Sequence, residues 1–322
     1  MLRAEISARS CGGFVQRCRH INTLFRKVRL RRHILKKSKI GFWAFVLPSF
    51  IFFVLVVVIP AVWGLAYSLT DWNGISKEIH FVGVRNYIQI FSQDRDFFHA
   101  FAFTAVFALA AVIGVNVVGF LLALLVTSHA KGTTFMRGAF FMPNLIGGIL
   151  LGFTWQFIFV QAFGAIASAT GWGFFANWLS DTKTSFWGLL ILVIWQLAGY
   201  MMVIYIAQIQ NIPDSIMEAA KIDGAGYLQR LKYIVLPLVA PAFTVGLFLS
   251  LTTCFKLYDQ NLALTNGGPF NSTEMLALNI YNSAFKYNEL GVAQAKAVVF
   301  LVAVAGIGLT QLYISKKKEV EM

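Results

Sequence analysis

Residues 101–128 read FAFTAVFALAAVIGVNVVGFLLALLVTS, a run with no charged side chain. A helix needs about 20 mostly apolar residues to cross the hydrocarbon core of a bilayer, and this run exceeds that. Working outward, five further segments qualify: 41–69, 139–163, 186–209, 234–255 and 292–314. The pattern predicts an all-α membrane protein with six transmembrane helices. Composition agrees: the 322 residues are 58% hydrophobic and 13% charged, with mean hydropathy +0.68. A soluble domain carries roughly a quarter charged residues.

The net charge of +13 is unevenly placed. Residues 1–40 hold twelve Lys/Arg, among them Arg26, Lys27, Arg29, Lys36 and Lys39, against the single acid Glu5. A basic run ahead of a first apolar segment keeps that end in the cytoplasm and adds attraction to anionic lipid. Nucleic acid is therefore not an expected partner. With the N-terminus inside, segments 129–138, 210–233 and 315–322 are also cytoplasmic, and 20 of the 27 basic residues fall on that side. The opposite side holds Asp71, Glu78, Asp94, Asp96, Asp181, Asp259, Glu274 and Glu289, with Trp72, Trp172 and Trp178 as interfacial aromatics.

Several function classes lack their chemistry. Ion-coupled carriers place carboxylates or histidines inside the bilayer, and the six apolar cores contain none. Lys256 closes the fifth segment and Lys296 begins the sixth; both are expected to snorkel to the outer interface. The alternative for Lys256 is a place beside a polar pathway with Tyr258 and Asp259. No Gly-Lys pair exists for a phosphate-binding loop. His20, His33, His80, His99 and His129 form no catalytic cluster with acids, and Cys11, Cys18 and Cys254 show neither metal-ligand spacing nor a disulfide framework. Gly148 and Gly152 make a G-x-x-x-G in the third segment. In a chain with 26 glycines we expect it to be chance.

The longest cytoplasmic segment runs from Ile212 to Pro237 and reads IPDSIMEAAKIDGAGYLQRLKYIVLP. It predicts two short helices with a break. Ser215 and Glu218 have capping-box spacing. Ala219 and Ala220 continue the first helix with little bulk. Gly224 and Gly226 interrupt it after Asp223, a second helical stretch spans 227–233, and Pro237 opens the fifth span.

This loop closely resembles the EAA loop of ABC importer permeases: Glu-Ala-Ala, three residues, Gly, nine residues, Ile-x-Leu-Pro. Here the positions are Glu218, Ala219, Ala220, Gly224, Ile234, Leu236 and Pro237, with no departure in spacing. Ser68-Leu-Thr-Asp-Trp72, Phe81-Val-Gly-Val-Arg-Asn-Tyr87, Leu264-Thr-Asn-Gly-Gly-Pro269 and Asn271-Ser-Thr-Glu274 resemble the sugar-importer, maltose-permease-like branch. The resemblance implies the type I ABC importer transmembrane architecture in the bacterial inner membrane. It implies that Glu218, Ala219, Ala220, Asp223, Gly224, Leu236 and Pro237 couple to an ATPase. Implied partners are a second homologous permease, two nucleotide-binding ATPase subunits, a solute-binding protein outside, and membrane lipid. No cofactor is implied for this chain; ATP and Mg belong to the ATPase subunits.

The expected organisation is a basic cytoplasmic tail over 1–40, a six-helix permease domain over 41–314 with its coupling loop at 211–237, and a cytoplasmic tail over 315–322. Sugar sites combine aromatic faces with amides and hydroxyls. On that chemistry Trp195, Gln196, Tyr200, Asn279, Tyr281 and Asn282 are candidates for the solute path, with Asn116 and Asn144 in the same category; the polar-pathway reading adds Lys256 and Tyr258. An ATP-independent carrier or channel is the alternative. The topology has a direct test: reporter fusions after residues 90 and 270 should signal the outside, and one after residue 225 the cytoplasm. A cytoplasmic signal at 270 would refute six spans with both ends inside.

Overall fold

Among the described residues, six helices are long and apolar enough to cross a membrane, as the segment count requires: α1 (Phe42–Tyr67), α3 (Arg95–Thr127), α5 (Gly148–Thr170), α6 (Thr182–Gln210), α8 (Tyr227–Phe255) and α11 (Leu290–Lys316). Between them lie the shorter helices α2 (Arg85–Gln93), α4 (Thr133–Leu145), α7 (Asp214–Ile222), α9 (Asp259–Leu264) and α10 (Leu276–Tyr281). The computed structural model describes residues 42–128 and 132–316. The basic tail with Cys11 and Cys18, then His129, Lys131, Lys317 and Lys318, lie outside the described residues. Among those described no strand forms, and Thr70 and Phe81 make one isolated antiparallel bridge. The described residues divide after Gly64 into two separate units. The described part of the first unit is most of α1, and none of its residues is buried. The other helices belong to the second unit.

Packing in the second unit centres on α6, which lies along α3 and also touches α4 and α8. Leu189, Leu192, Val193, Met202 and Tyr205 of α6 are fully buried, as are Phe107, Ala111 and Val115 of α3. Helix association in a bilayer has little hydrophobic drive, so close approach and interhelical hydrogen bonds decide it. Both devices appear. A side chain at Gly199 of α6 would strike the Phe140 carbonyl of α4. At the centre of the bundle the Tyr205 hydroxyl donates to Asn116 Oδ1 at 2.5 Å. The Asn116 amide donates to Ser250 Oγ at 2.8 Å, so one buried node ties α6, α3 and α8.

Four expectations need correction. The third span begins at Gly148 rather than near 139, because Ile146 and Gly147 are extended and split off α4. Hydropathy reports how apolar a stretch is, not where its backbone turns. Second, Gly148 and Gly152 are a contact rather than chance. A Cβ at Gly152 would stand 2.5 Å from Ala263 Cβ, and one at Gly148 would stand 2.7 Å from Asp259 Cβ, so α9 lies directly against α5. Third, Pro237 stands in the first turn of the regular α-helical stretch Leu236–Phe255, as expected, but the span itself begins earlier. The stretch at 227–233 is continuous with the fifth span, and a π-helical turn over Leu231–Val235 lies just before the proline. There Leu236 N–H reaches back to the Leu231 carbonyl, absorbing the misfit that an interior proline imposes on the previous turn. Fourth, Ser215 is not a cap. Helix α7 starts after Pro213 without side-chain capping, and Asp214 supplies the negative charge in its first turn.

Two substitutions separate the two packing devices. Tyr205→Phe should cost about 1 kcal/mol, the range of an interhelical hydrogen bond in a membrane protein. Gly152→Val should cost more, about 1–3 kcal/mol from overpacking against α9. Thermal unfolding in detergent, with both variants beside wild type, measures the order.

Candidate functional site

The loop between α6 and α8 is a short rigid module. Helix α7 ends in a Schellman turn: Ala225 N–H donates to the Ala220 carbonyl at 2.9 Å and Gly224 N–H to the Lys221 carbonyl at 3.1 Å. Gly224 holds φ +76, a left-handed conformation that glycine adopts without strain. Gly226 then opens α8, its amide donating to Gln229 Oε1 at 2.8 Å. Ala220 is buried, whereas Glu218, Ala219 and Asp223 are exposed. Apolar groups are exposed beside them: Ile222 at 86%, Leu228 at 75% and Tyr233 at 69%. Leu236 is exposed, as is Pro237, about three turns into α8.

The solute-path candidates fall into two groups joined by α9. On α6, Trp195 is half-exposed and its ring stands edge-on to Trp155 of α5 at 5.5 Å. Gln196 is buried and accepts a hydrogen bond from Gln260 Nε2 of α9 at 2.8 Å. Tyr200 is exposed further along α6. The second group forms where α10 meets the start of α11. Tyr258, at the start of α9, faces Tyr281 at a ring distance of 5.1 Å, and Tyr281 faces Phe285 at 4.9 Å. These rings line a cavity of about 320 Å³ that also takes in Gln294. Burial first, then the hydrogen bond and charge of the Tyr281 phenol and the charge of Asp259, push the Tyr258 hydroxyl up to about 12, so it stays neutral at ordinary pH.

Asn279 and Asn282 hold the scaffold. Asn282 Nδ2 donates to Glu274 Oε1 at 2.8 Å. Asn279 is buried and accepts from Lys296 Nζ at 3.0 Å. Lys256 is exposed at the end of α8, while Asn144, near the end of α4, is half-buried. Asn116 belongs to the central node already described.

Lys296 corrects the snorkelling expectation. It lies six residues into α11, about 9 Å along the helix from its first residue. Its Nζ turns inward, 2.7 Å from Asp94 Oδ2 and 2.8 Å from Ser283 Oγ. Asp94 also caps α3, accepting from Phe97 N–H at 2.8 Å. Three donors meet three acceptors, which offsets the cost of taking the ammonium out of water. Sequence reading missed Asp94, Lys296, Trp155 and Gln260. A lone cation in an apolar run and two Trp-Gln pairs, at 155–156 and 195–196, were the available signals.

Residues 115–319 match the model of the binding-protein-dependent transport system inner membrane component. The chain belongs to that family. It is 49% identical over 286 residues to a probable starch degradation products transport system permease protein, AmyD, of Thermoanaerobacterium thermosulfurigenes, covering 89% of this chain and 97% of that one. It is 33% identical to the multiple sugar-binding transport system permease protein MsmF of Streptococcus mutans, covering 86% and 96% of the two chains. Among solved structures, a bacterial ABC transporter that imports the acidic polysaccharide alginate superposes with a TM-score of 0.76 at 20% identity, over 90% of this chain and 99% of that one. A second alginate transporter structure, in complex with an alginate pentasaccharide-bound periplasmic protein, gives 0.77 at 19% identity over 87% and 96%. The fold is that of an ABC importer transmembrane domain, and family membership makes the chain a multi-pass inner-membrane permease of a binding-protein-dependent importer.

The ion pair in this permease is open to measurement. Lys296→Met leaves the Asp94 carboxylate without its cation and should cost about 3 kcal/mol. Asp94→Asn should cost a similar amount. The double variant Asp94→Asn/Lys296→Met should lose much less than the sum of the two, as read from thermal unfolding of the purified protein. Additive losses would show that the two charges do not depend on each other.

Proposed function

We propose that this chain is one of two homologous permease subunits of an ATP-driven importer for a sugar or oligosaccharide. The observation that carries the coupling is the α7 module. A rigid helix–turn, joined tightly to two spans, presents Glu218 among the exposed apolar groups Ile222, Leu228 and Tyr233. Apolar surface of that kind at a polar face marks a protein contact. The partner is a nucleotide-binding subunit, and two such subunits hold the ATP and Mg. Small Ala219 permits close approach, Glu218 supplies a charged contact, and Gly224 fixes the turn. Closure of the ATPase pair then moves α7, and with it α6 and α8, between discrete inward- and outward-facing states.

Residues 211–237 are the coupling segment, and 1–40 and 315–322 are cytoplasmic tails. The opposite ends of the spans, with Trp72 and Asn271, face the outside and receive a solute-binding protein. The relatives are described as sugar and starch-product permeases, which supports a carbohydrate cargo. In this reading Trp195, Gln196, Tyr200, Tyr258 and Tyr281 line the path, with Trp155 and Gln260 beside them. Aromatic faces and amides are the groups that suit a saccharide. Asn279 and Asn282 hold α10 in place, and Lys256 stands at the outer end of α8.

Charge reversal tests the coupling. Glu218→Lys should leave the chain inserted and assembled with its fellow permease, yet abolish uptake and weaken retention of the ATPase. Transport of a labelled oligosaccharide into vesicles and co-purification of the ATPase are the two measurements. Uptake at the wild-type rate would sink the assignment. Accumulation driven by a proton or sodium gradient, with this chain alone in liposomes, would establish the ATP-independent carrier instead.

A further inference from the structure

We propose that a polar notch at the Trp72 end of the molecule is a docking socket for a basic side chain of the solute receptor. The inference rests on the topology and receptor of the proposed function, and adds the site and the charge of the group it takes. The notch is a cavity of about 360 Å³ lined by Asp71, Trp72, Asn73, Arg85, Gln89 and Glu289, among others. Three stretches build it, 70–73, 82–89 and the distant 288–292. Val82 N–H donates to the Leu69 carbonyl at 2.9 Å, and Gly291 N–H donates to the Trp72 carbonyl at 2.8 Å. The buried Asn86 amide bridges the Ser68 and Thr70 carbonyls, each at 2.8 Å. The walls are therefore fixed before any partner arrives.

The charge of the notch selects its occupant. Asp71 and Glu289 line it with a single cation, Arg85, so the lining is net negative. Among the described residues none of the three enters an ion pair. Asp71 Oδ1 accepts the His80 amide at 2.9 Å, which holds its carboxylate at the rim. Like-signed groups left unpaired in a concavity focus the field and attract a cation. A saccharide fits less well, because the Trp72 ring is already engaged on one side. The Trp72 indole packs on Tyr67 at 4.6 Å, and its Nε1 donates to the Ser76 carbonyl at 2.9 Å. A lysine or arginine on the receptor surface needs no aromatic platform and is drawn by the unpaired carboxylates of the lining. Such rim contacts govern encounter and are sensitive to salt.

The complete importer in nanodiscs, with its receptor, tests this. ATPase stimulation is titrated against receptor concentration in wild type, Asp71→Asn/Glu289→Gln and Glu289→Lys. Asp71→Asn keeps the Oδ1 acceptor for His80, so the wall remains built, and monodisperse elution checks assembly. The neutralised pair should raise the half-saturating receptor concentration about tenfold, equivalent to about 1.4 kcal/mol. Its dependence on ionic strength should flatten, while the rate at saturating receptor approaches wild type. Glu289→Lys should be worse, and reversal of one receptor Lys or Arg to Glu should restore it. Unchanged half-saturation and salt dependence in both variants would overturn the proposal. So would a weakened response to saccharide at saturating receptor, which would mark the notch as a sugar subsite. Failure of any receptor to stimulate the wild-type complex would overturn the proposed function, and the notch with it.

Discussion

A backbone amide or carbonyl in hydrocarbon has no water to turn to, and each one left unpaired costs several kcal/mol. The whole molecule answers to that constraint. Six spans satisfy it within their own turns. At the π-helical turns over Ile158–Ala162 and Leu231–Val235, a span reaches one residue further back for its hydrogen bond rather than losing it. The hardest case is the irregular chain between α8 and α11. There, buried side chains replace the missing backbone partners. Asn261 accepts from Met275 N–H at 3.0 Å and donates to the Thr273 carbonyl at 2.7 Å. Thr104 of α3 accepts from Leu276 N–H at 2.9 Å. This part of the chain is irregular only because neighbouring helices supply what the backbone lacks.

The same constraint explains where the polar residues sit. The Tyr205–Asn116–Ser250 node and the Lys296 site are closed networks, and a half-satisfied network in a low-dielectric interior would be worse than none. Lys296 joins α11 to α3 through Asp94 and to α10 through Asn279 and Ser283. Helix α10 carries Tyr281 and leads into Asn282, so one ammonium fixes the second group of path candidates. The exposed candidates, Trp195 and Tyr281, stand on backbone whose other face is locked in this way.

The six spans were legible because bilayer thickness dictates length, and length with hydropathy is a one-dimensional signal. The α7 module was legible for a different reason: glycine at 224 and the helix-forming Glu218–Ala220 stretch act within a few residues of each other. What failed was information held between segments. Gly148 and Gly152 read as chance because their partners, Asp259 and Ala263, lie over a hundred positions away. Lys296 read as a snorkelling cation because nothing near it in sequence reveals Asp94. The break at Ile146 and Gly147 was hidden because apolar residues continue on both sides of it. Ser68–Trp72 and Phe81–Tyr87 read as separate blocks, yet the Val82–Leu69 hydrogen bond and the Asn86 amide make them one wall.

The geometry also bears on how work done at one end of the molecule could reach the other under the proposed function. Helix α7 follows α6 after a three-residue connection, 211–213, and precedes α8 after a four-residue one, 223–226. Both links are tied by backbone hydrogen bonds, so there is little slack to absorb a displacement. Helix α8 then runs without a break from Tyr227 to Phe255, and after three more residues α9 begins. Helix α9 in turn touches α5 at Gly148 and Gly152 and holds Gln196 of α6 through Gln260. A push on α7 is therefore delivered to α6 directly and to the same helix again through α8 and α9. Two routes converge on the Gln196–Gln260 contact, beside the Trp155–Trp195 pair. Close-packed elements switch between discrete arrangements rather than bending smoothly, so a rearrangement of α9 against α5 and α6 is the step at which a movement of the coupling loop would become a change in the path.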